Sequence, residues 1–210
     1  MDSGEQQEIQ AEKRRLRQTA LAARRALPDR EARSRAICER LLATAAYRDA
    51  RTILFYVDVD HEVQTRECLA AAIAEGKRVL VPYCVGDDLG LFHLHHLDEL
   101  EPRTFGILEP PEPLRALADR AIAVGEVDLV VVPGVAFDEG GARLGWGRGF
   151  YDRLLRVAPP GACLVALAFE CQVFPALPAE PHDVRMDLVI TEAAVYQGPG
   201  RAGRSGRAPS

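Results

Sequence analysis

Residues 127–134 read VDLVVVPG, a short, almost wholly apolar run that ends in a proline and a glycine. An apolar run of this length, bounded by turn residues, is typical of a strand that is buried on both faces. Runs of the same kind lie at 51–57 (RTILFYV), 77–83 (KRVLVPY), 163–169 (CLVALAF) and 185–192 (RMDLVITE). Because apolar and polar residues do not alternate in these runs, they predict the interior of a mostly parallel sheet.

Helical segments alternate with these strands. Helices are predicted over 7–26, 30–46, 65–76 and 149–157. Residues 89–97 alternate and predict a further strand, and the proline-rich stretch 101–119 is predicted to be a loop with one short helix at 114–120. The pattern predicts an α/β fold: a mostly parallel sheet flanked by helices on both faces, in a single domain with an N-terminal helical segment.

Composition limits the classes of protein that this chain can belong to. It has 210 residues, 48% of them hydrophobic, and a net charge of −5, so it can bury one core and has no global attraction for nucleic acid. No apolar run reaches the ~18 residues of a membrane span, and the acidic N-terminus does not resemble a secretory signal. Five scattered cysteines without CxxC spacing are predicted to be reduced thiols in a cytoplasmic protein. The domain is expected to span 1–197, and the low-complexity stretch 198–210 is expected to be a disordered tail.

The strand at 127–134 leads into RLGWGRGFYDRLL at 143–155. Alternating glycines let the backbone turn toward a ligand, and a helix that begins near Gly149 offers unpaired N–H groups to an anion. Arg143 and Arg148 can add charge-assisted hydrogen bonds to phosphate. Asp152 would repel a bare phosphate, but it suits a magnesium ion that bridges to a nucleotide. A surface loop with a helix cap is the alternative, since the stretch is neither a Walker A loop nor a dinucleotide fingerprint.

In its wider context, PGVAFDEGGARLGWGRGFYDRLL at 133–155 resembles the signature of the 5-formyltetrahydrofolate cyclo-ligase family. The resemblance extends over roughly residues 11–193. It includes EKRRLRQTALAARRAL, FYVDVDHEVQT, GILEPPE and LPAEPHDVRMDLVITE, in the family's order. The resemblance implies an ATP- and Mg²⁺-dependent enzyme that converts 5-formyltetrahydrofolate to 5,10-methenyltetrahydrofolate and releases ADP and phosphate. Such phosphoryl transfer requires positioning and charge neutralisation and no protein nucleophile.

The resemblance also implies roles for individual residues. It implies a catalytic role for Arg148 and Tyr151, and magnesium ligation by Asp152 and Asp187. Its implied nucleotide contacts are Lys13, Arg17, Arg143, Gly145, Trp146, Gly147, Arg148, Gly149, Phe150, Tyr151 and Asp152. Its implied folate contacts are Tyr56, Glu62, Phe150 and Tyr151. Glu62 is the candidate for the pterin, because a carboxylate can accept two adjacent N–H donors of an aminopyrimidinone ring. Arg14, Arg24 and Arg25 are expected to form a solvated basic face.

Other interpretations remain open. Trp146 and Phe150 stand where relatives often have other residues, so the chain could be a relative that binds a folate or nucleotide without turnover. His93 and His95, with Asp98, could bind zinc, although a third convincing ligand is lacking. His182 and Asp183 look like a catalytic pair without a nucleophile. An arginine-bearing tail could bind RNA, but without aromatic residues a solvated tail is favoured. We expect a small-molecule folate partner, no nucleic acid, no membrane and a monomer.

Overall fold

The computed structural model describes residues 3–103, 107–178, 180 and 183–201. Its helices are α1 (Ser3–Ala26), α2 (Arg30–Leu42), α3 (Ala45–Asp49), α4 (Arg66–Ala74), α5 (Glu112–Arg115) and α6 (Phe150–Val157). Its strands are β1 (Thr52–Leu54), β2 (Arg78–Val85), β3 (Asp88–Leu94), β4 (Glu101–Pro102), β5 (Leu108–Glu109), β6 (Leu129–Val132), β7 (Ala136–Asp138), β8 (Arg143–Leu144), β9 (Cys163–Leu167), β10 (Val173–Phe174), β11 (Leu188–Ile190) and β12 (Val195–Gln197). Within these ranges, no helix is both long and apolar enough to cross a bilayer.

The main sheet has seven strands in the order β12-β11-β9-β6-β1-β2-β3. The five inner strands pair in parallel, and β3 and β12 close the two edges in antiparallel pairings. The predicted α/β class with a mostly parallel sheet is therefore confirmed. The chain passes from β1 to β2 on one side and later from β6 through β9 to β11 on the other. The strand order thus reverses between β1 and β6, and the carboxyl ends of these two strands border a crevice.

Both faces of the sheet are covered, which explains why its strands are apolar along their whole length. In β6, Leu129 and Val131 face the cluster beneath α2 and α4, whereas Val130 and Val132 face the cluster that contains α6. All four residues of β6 are fully buried. Helix α1 packs on a third, smaller cluster, which includes residues of β7 and β8. The chain thus places α1 over the β7–β8 hairpin, beside the carboxyl ends of the inner strands.

Several predicted elements have different limits in the structure. The single helix expected over 30–46 is two, because α2 ends at Leu42 and the Thr44 hydroxyl caps α3 by accepting the N–H of Tyr47 at 3.1 Å. The short helix expected at 114–120 forms earlier, as α5, with a proline in its first turn, where a missing N–H costs nothing. The two- and three-residue strands β7, β8, β10 and β12 were not predicted, because runs so short carry no periodicity.

The cysteines also differ from the expectation. Cys38 of α2 and Cys68 of α4 form a disulfide with 5.8 Å between their Cα atoms, so the prediction of five reduced thiols is wrong for this pair. Cys84, Cys163 and Cys171 do not take part in this disulfide. The two paired residues are 30 positions apart in the chain, and they meet because α2 and α4 pack side by side on one face of the sheet.

The C-terminal segment is attached to the sheet as far as the structure describes it. Gly198 donates its N–H to the carbonyl of Asp187 at 2.9 Å, and Gly200 donates to the carbonyl of Met186 at 3.2 Å. The guanidinium of Arg201 donates to the carbonyl of Ala158 at 2.6 Å. These contacts hold residues that the sequence assigned to a disordered tail, and 202–210 lie outside the described residues. The single domain over 1–197 stays a prediction.

We predict that Asp138→Ala destabilises the fold by about 2–4 kcal/mol. The buried Asp138 carboxylate accepts the N–H of Ala142 at 2.8 Å and the N–H of Leu177 at 3.0 Å, so its removal leaves two buried donors without an acceptor. Chemical denaturation measures the change. Glu139→Ala is the matched control, because Glu139 is exposed and adjacent in the same turn. Equal stability of the two variants would contradict this role for Asp138.

Candidate functional site

A small, narrow cavity lies at the crevice between β1 and β6. Tyr56, Glu62 and Val63 line it from the loop that follows β1, and Pro133 and Gly134 line it from the segment that follows β6. The other lining residues are Arg24, Leu167 and Gln172. Ligands of open parallel sheets bind at such a reversal of strand order, because the loops leave the two strands in opposite directions there. The position of the cavity therefore marks the candidate site.

Hydrogen bonds close the loop after β1 into a rigid frame. The Tyr56 hydroxyl donates to the carbonyl of Val63 at 2.9 Å, and the Thr65 hydroxyl donates to the carbonyl of Tyr56 at 2.9 Å. The Thr65 N–H donates to Asp58 at 3.0 Å. Thr65 therefore ties the loop together and does not cap α4 with its side chain. Tyr56 lines the cavity with its ring, while its hydroxyl holds the loop that carries Glu62.

Glu62 is a buried carboxylate with several donors around it. Only 8% of the residue is exposed. One carboxylate oxygen accepts the N–H of Val59 at 3.3 Å, and the other accepts the indole N–H of Trp146 at 3.4 Å. Burial raises the pKa of Glu62, and the positive charge of Arg24 and these two donors oppose the shift. Glu62 is therefore a buried hydrogen-bond acceptor in the loop after β1.

The glycine-rich loop and the start of α6 lie beside this carboxylate. Gly147 and Gly149 have φ angles of 92° and 72°, which only glycine adopts without strain, so the loop requires them. Gly149 is the N-cap of α6, and no side chain caps this helix start. The first N–H groups of α6 are thus available to an anion at the positive end of the helix dipole. Trp146 links this loop to Glu62 through its indole N–H.

Arg143, Tyr151 and Asp152 connect the loop to the sheet. The Arg143 side chain is 6% exposed, forms an ion pair with Asp152 and donates to the carbonyl of Pro133 at 3.3 Å. The Tyr151 hydroxyl is buried without a hydrogen-bond partner. Burial raises the pKa of Tyr151, the charge of Glu62 adds to the shift, and Arg143 opposes it. The hydroxyl therefore keeps its proton and can donate it to a bound acceptor.

The other loop residues implied by the resemblance lie nearer to solvent. Arg148 is exposed, and its carbonyl accepts a hydrogen bond from Arg153 at 3.3 Å. Phe150 is half-buried, and the Arg153 guanidinium lies 5.3 Å from the centre of its ring. Arg153 also donates to Asp88 at 3.1 Å, which joins α6 to the turn between β2 and β3. These contacts hold the start of α6 in place at the mouth of the site.

Helix α1 approaches the site along one stripe of basic residues. Lys13 is buried and pairs with Glu180 at 2.9 Å and Asp183 at 3.8 Å. Arg17 donates from Nε to the carbonyl of Gly145 at 2.8 Å and so fixes the glycine loop. Lys13 is buried and Arg17 is half-buried, so neither lies on a solvated face of α1. Lys13 lies one helical turn from Arg17 and makes its ion pairs with the segment before β11.

Arg24 is the residue that sequence reasoning missed. It was expected on a solvated face with Arg14 and Arg25; those two are exposed, but Arg24 is only 2% exposed. Its guanidinium lies 5.5 Å from the centre of the Trp146 ring and lines the same cavity as Glu62. The helical spacing would have identified it, because Arg24 lies 11 residues after Lys13 and seven after Arg17, and both separations return to the same face of a helix.

The structure does not bring the two predicted metal ligands together. Asp187 begins β11 at the amino edge of the sheet, where its carboxylate accepts the N–H of Leu164 at 2.7 Å. Asp152 is 58% exposed and lies in the first turn of α6, on the carboxyl side of the sheet. Parallel strands start at one edge and end at the other, so these carboxylates lie on opposite sides. Asp152 fits an oxygen ligand of a nucleotide-bound cation, and Asp187 does not share its position.

The histidine-containing candidates form no second metal site among the described residues. His93 and His95 contact each other, with 3.3 Å between ring nitrogens, and among the described residues no group of three or more His, Cys, Asp or Glu side chains could hold a metal. The zinc interpretation thus gains no third ligand. His182 lies outside the described residues, and Asp183 accepts the N–H of Glu180 at 2.8 Å.

Comparison with known proteins agrees with the geometry of the site. Residues 9–192 match the 5-formyltetrahydrofolate cyclo-ligase family. The match covers most of the chain and contains the loop after β1, the glycine loop and α6. The chain belongs to the 5-formyltetrahydrofolate cyclo-ligase family.

Similar proteins span almost the whole chain. The 5-formyltetrahydrofolate cyclo-ligase of Mycolicibacterium smegmatis is 35% identical over 184 residues, which cover 85% of this chain and 93% of that protein. The corresponding protein of Haemophilus influenzae is 30% identical over 200 residues, covering 90% and 100%. The NMR structure of Aquifex aeolicus 5,10-methenyltetrahydrofolate synthetase superposes with a TM-score of 0.76 at 31% identity, covering 93% of this chain and 95% of the other. The similarity thus covers most of this chain and most of each of these proteins.

We predict that Lys13→Ala destabilises the protein by about 1–3 kcal/mol. The substitution leaves the carboxylates of Glu180 and Asp183 without the buried ammonium that joins them to α1. Urea denaturation measures the change, and Arg14→Ala is the control because Arg14 is exposed on the same helix. A Lys13 variant as stable as the Arg14 variant would show that this ion pair does not hold the helix.

Proposed function

We propose that this chain is an ATP-dependent 5-formyltetrahydrofolate cyclo-ligase that forms 5,10-methenyltetrahydrofolate and releases ADP and phosphate. The observation that carries the proposal is the adjacency of a buried carboxylate, Glu62, and an uncapped glycine-rich helix start, linked by Trp146. The first suits the N–H edge of a pterin, and the second suits a phosphate. Membership of the cyclo-ligase family supports the same reaction.

The chemistry requires two displacements. The formyl oxygen attacks the γ-phosphorus of ATP, and ADP leaves. The nitrogen at position 10 then attacks the formyl carbon and loses its proton to the departing phosphate or to water, and the carbon–oxygen bond breaks as phosphate leaves, which gives the methenyl bridge. No protein nucleophile takes part, so the residues act by holding two substrates in line and by neutralising charge.

The pterin is assigned to the cavity at the strand reversal. Glu62 accepts two adjacent N–H donors of the ring, and the ring of Tyr56 forms part of the wall. Tyr151 presents a protonated, unpartnered hydroxyl that can donate to the formyl or phosphoryl oxygen. Phe150, at the start of α6, covers the side of the site toward the nucleotide. These four residues form the folate half of the site.

The phosphates are assigned to the glycine loop. Gly145, Gly147 and Gly149 bring backbone N–H groups toward them, and Arg143 and Arg148 supply positive charge. Arg17 fixes the loop through the carbonyl of Gly145. Lys13 lies one turn before Arg17 on α1. When the nucleotide binds, the Lys13 ammonium leaves its carboxylate partners and contacts the nucleotide. The ion pair of Arg143 with Asp152 opens when phosphate replaces the carboxylate.

Magnesium is expected to accompany the nucleotide. A bound divalent cation neutralises part of the phosphate charge. Asp152 would hold it, because its carboxylate is exposed beside the glycine loop, whereas the carboxylate of Asp187 is engaged at the opposite edge of the sheet. A cytoplasmic location and a monomeric state also stay predictions.

Purified protein with 5-formyltetrahydrofolate and Mg-ATP is expected to form a near-ultraviolet absorbance of the methenyl product that requires ATP. Asp152→Asn is expected to lower turnover and to raise the magnesium concentration that gives half-maximal rate, because the amide is a weaker ligand for a hard cation. Asp187→Asn should leave that concentration unchanged. Folate binding without an ATP-dependent rise in absorbance would identify a non-catalytic relative instead, and an unaltered magnesium requirement of Asp152→Asn would remove Asp152 as a ligand.

Glu62→Gln is expected to raise KM for 5-formyltetrahydrofolate about ten- to a hundredfold, with KM for ATP unchanged, because an amide accepts only one of two N–H donors.

In the wild type, the affinity for 5-formyltetrahydrofolate should fall as pH is lowered through the pKa of Glu62, since the protonated carboxyl loses an acceptor. Because burial raises that pKa, the loss begins above the ordinary range of a glutamate. The variant should show no such dependence, and Glu139→Gln, at an exposed glutamate, is the control. Equal losses for folate and ATP would mean that Glu62 is structural.

A further inference from the structure

Arg24 is a buried cation that the proposed reaction does not yet use. The residue is 2% exposed, and its Nε is buried without a hydrogen-bond partner. Guanidinium groups in protein interiors normally satisfy their donors, because an unpaired buried donor costs free energy. The Nε–H group of Arg24 is therefore a vacant donor, and its place is in the wall of the cavity that Glu62 also lines.

Arg24 and Glu62 both line this cavity, but their side chains do not contact each other directly. Within the described residues, Glu62 has hydrogen bonds from Val59 and Trp146 but no ion pair with Arg24. Even so, Arg24 is the strongest of the charges that lower the pKa of Glu62, and Glu62 is the strongest of those that raise the pKa of Arg24. The Trp146 ring lies 5.5 Å from the guanidinium, and the indole N–H of the same residue donates to Glu62. An acceptor and an unsatisfied donor thus border one small cavity, and Trp146 contacts both.

We propose that Arg24 determines ligand specificity in the folate pocket: its vacant Nε–H donates to the 4-oxo group of the pterin while Glu62 accepts the neighbouring N–H groups. This role rests on the proposed cyclo-ligase activity. The edge of an aminopyrimidinone presents an amino group, a ring N–H and a carbonyl in sequence, which is two donors followed by one acceptor. A carboxylate beside a guanidinium is the complementary set of groups, and a ligand that spans both satisfies the donor that the free protein leaves unpaired.

The complementarity predicts discrimination against a ring with an amino group in place of the carbonyl. A 4-amino group is a donor, so it would face the Nε–H of Arg24 and leave both donors unsatisfied. Sites that are built to hydrogen-bond one polar group reject analogues that lack it, because the buried partner is then left unpaired. The exchange also turns the ring N–H at position 3 into an acceptor, so Glu62 loses one of its two donors, and the share of the selectivity that belongs to Arg24 is the share that an Arg24 variant removes.

The test compares 5-formyltetrahydrofolate with its 4-amino-4-deoxy analogue by isothermal titration calorimetry. Quenching of Trp146, the single tryptophan of the chain, is a second readout that needs no turnover. The variants are Arg24→Met and Arg24→Lys, and Arg25→Met is the control at an exposed arginine one position along α1. Thermal denaturation checks that each is folded, and Arg24→Lys retains a cation opposite Glu62 if Arg24→Met does not fold.

The wild type is expected to prefer the 4-oxo ligand by about tenfold or more. The ratio of the two dissociation constants should fall severalfold in Arg24→Met, to the part that Glu62 supplies, and to an intermediate value in Arg24→Lys, while Arg25→Met keeps the wild-type ratio and KM for ATP stays unchanged in all. A wild type without this preference, or an Arg24→Met variant that keeps the full wild-type ratio, would overturn the role of Arg24. If the wild type forms methenyl product, that failure concerns Arg24 alone; if it neither turns over nor binds 5-formyltetrahydrofolate, both proposals fall.

Discussion

The side-by-side parallel pairing of β1 and β6 is the constraint on which the rest of the site depends. The chain leaves these strands in opposite directions, so no connection fills the space beyond their carboxyl ends. Both strands are completely buried, which fixes the crevice between two apolar clusters. The loop after β1 delivers Glu62 to one wall, and the segment after β6 begins the path to the glycine loop. A folate half and a phosphate half therefore meet because two strand ends are neighbours.

Helix α1 holds these halves together from outside the main sheet. Lys13, Arg17 and Arg24 lie within about 40° of one another around the helix axis, at roughly 100° per residue. They contact three separate parts of the chain: the segment before β11, the glycine loop and the cavity. Each cation is buried or half-buried, and each meets a carboxylate, a carbonyl or an aromatic ring. One stripe of a single helix thus sets the position of the loop relative to the cavity.

Features that arise from neighbouring residues in the sequence could be predicted, and features that arise from contacts between distant segments could not. The apolar runs predicted the inner strands, because burial on both faces leaves a continuous local signal. The glycines and the aspartate of 145–152 predicted a helix start that suits phosphate, which is also a local property. The hairpin of β7 and β8 and the disulfide between Cys38 and Cys68 were not predicted. Each requires contacts between separate segments, and such contacts produce no periodic pattern in the sequence.

By itself, the sequence determined the order of strands and helices, the α/β class, the glycine-rich helix start and the resemblance that the family match supports. Only the tertiary structure decided which charged side chains lie close together. It put Asp187 at the amino edge of the sheet, on the other side from Asp152, and it buried Arg24 while Arg25 stayed exposed. The physical reason is that periodicity assigns a residue to a face of its own element, whereas the packing of elements decides which edge or cavity that face meets.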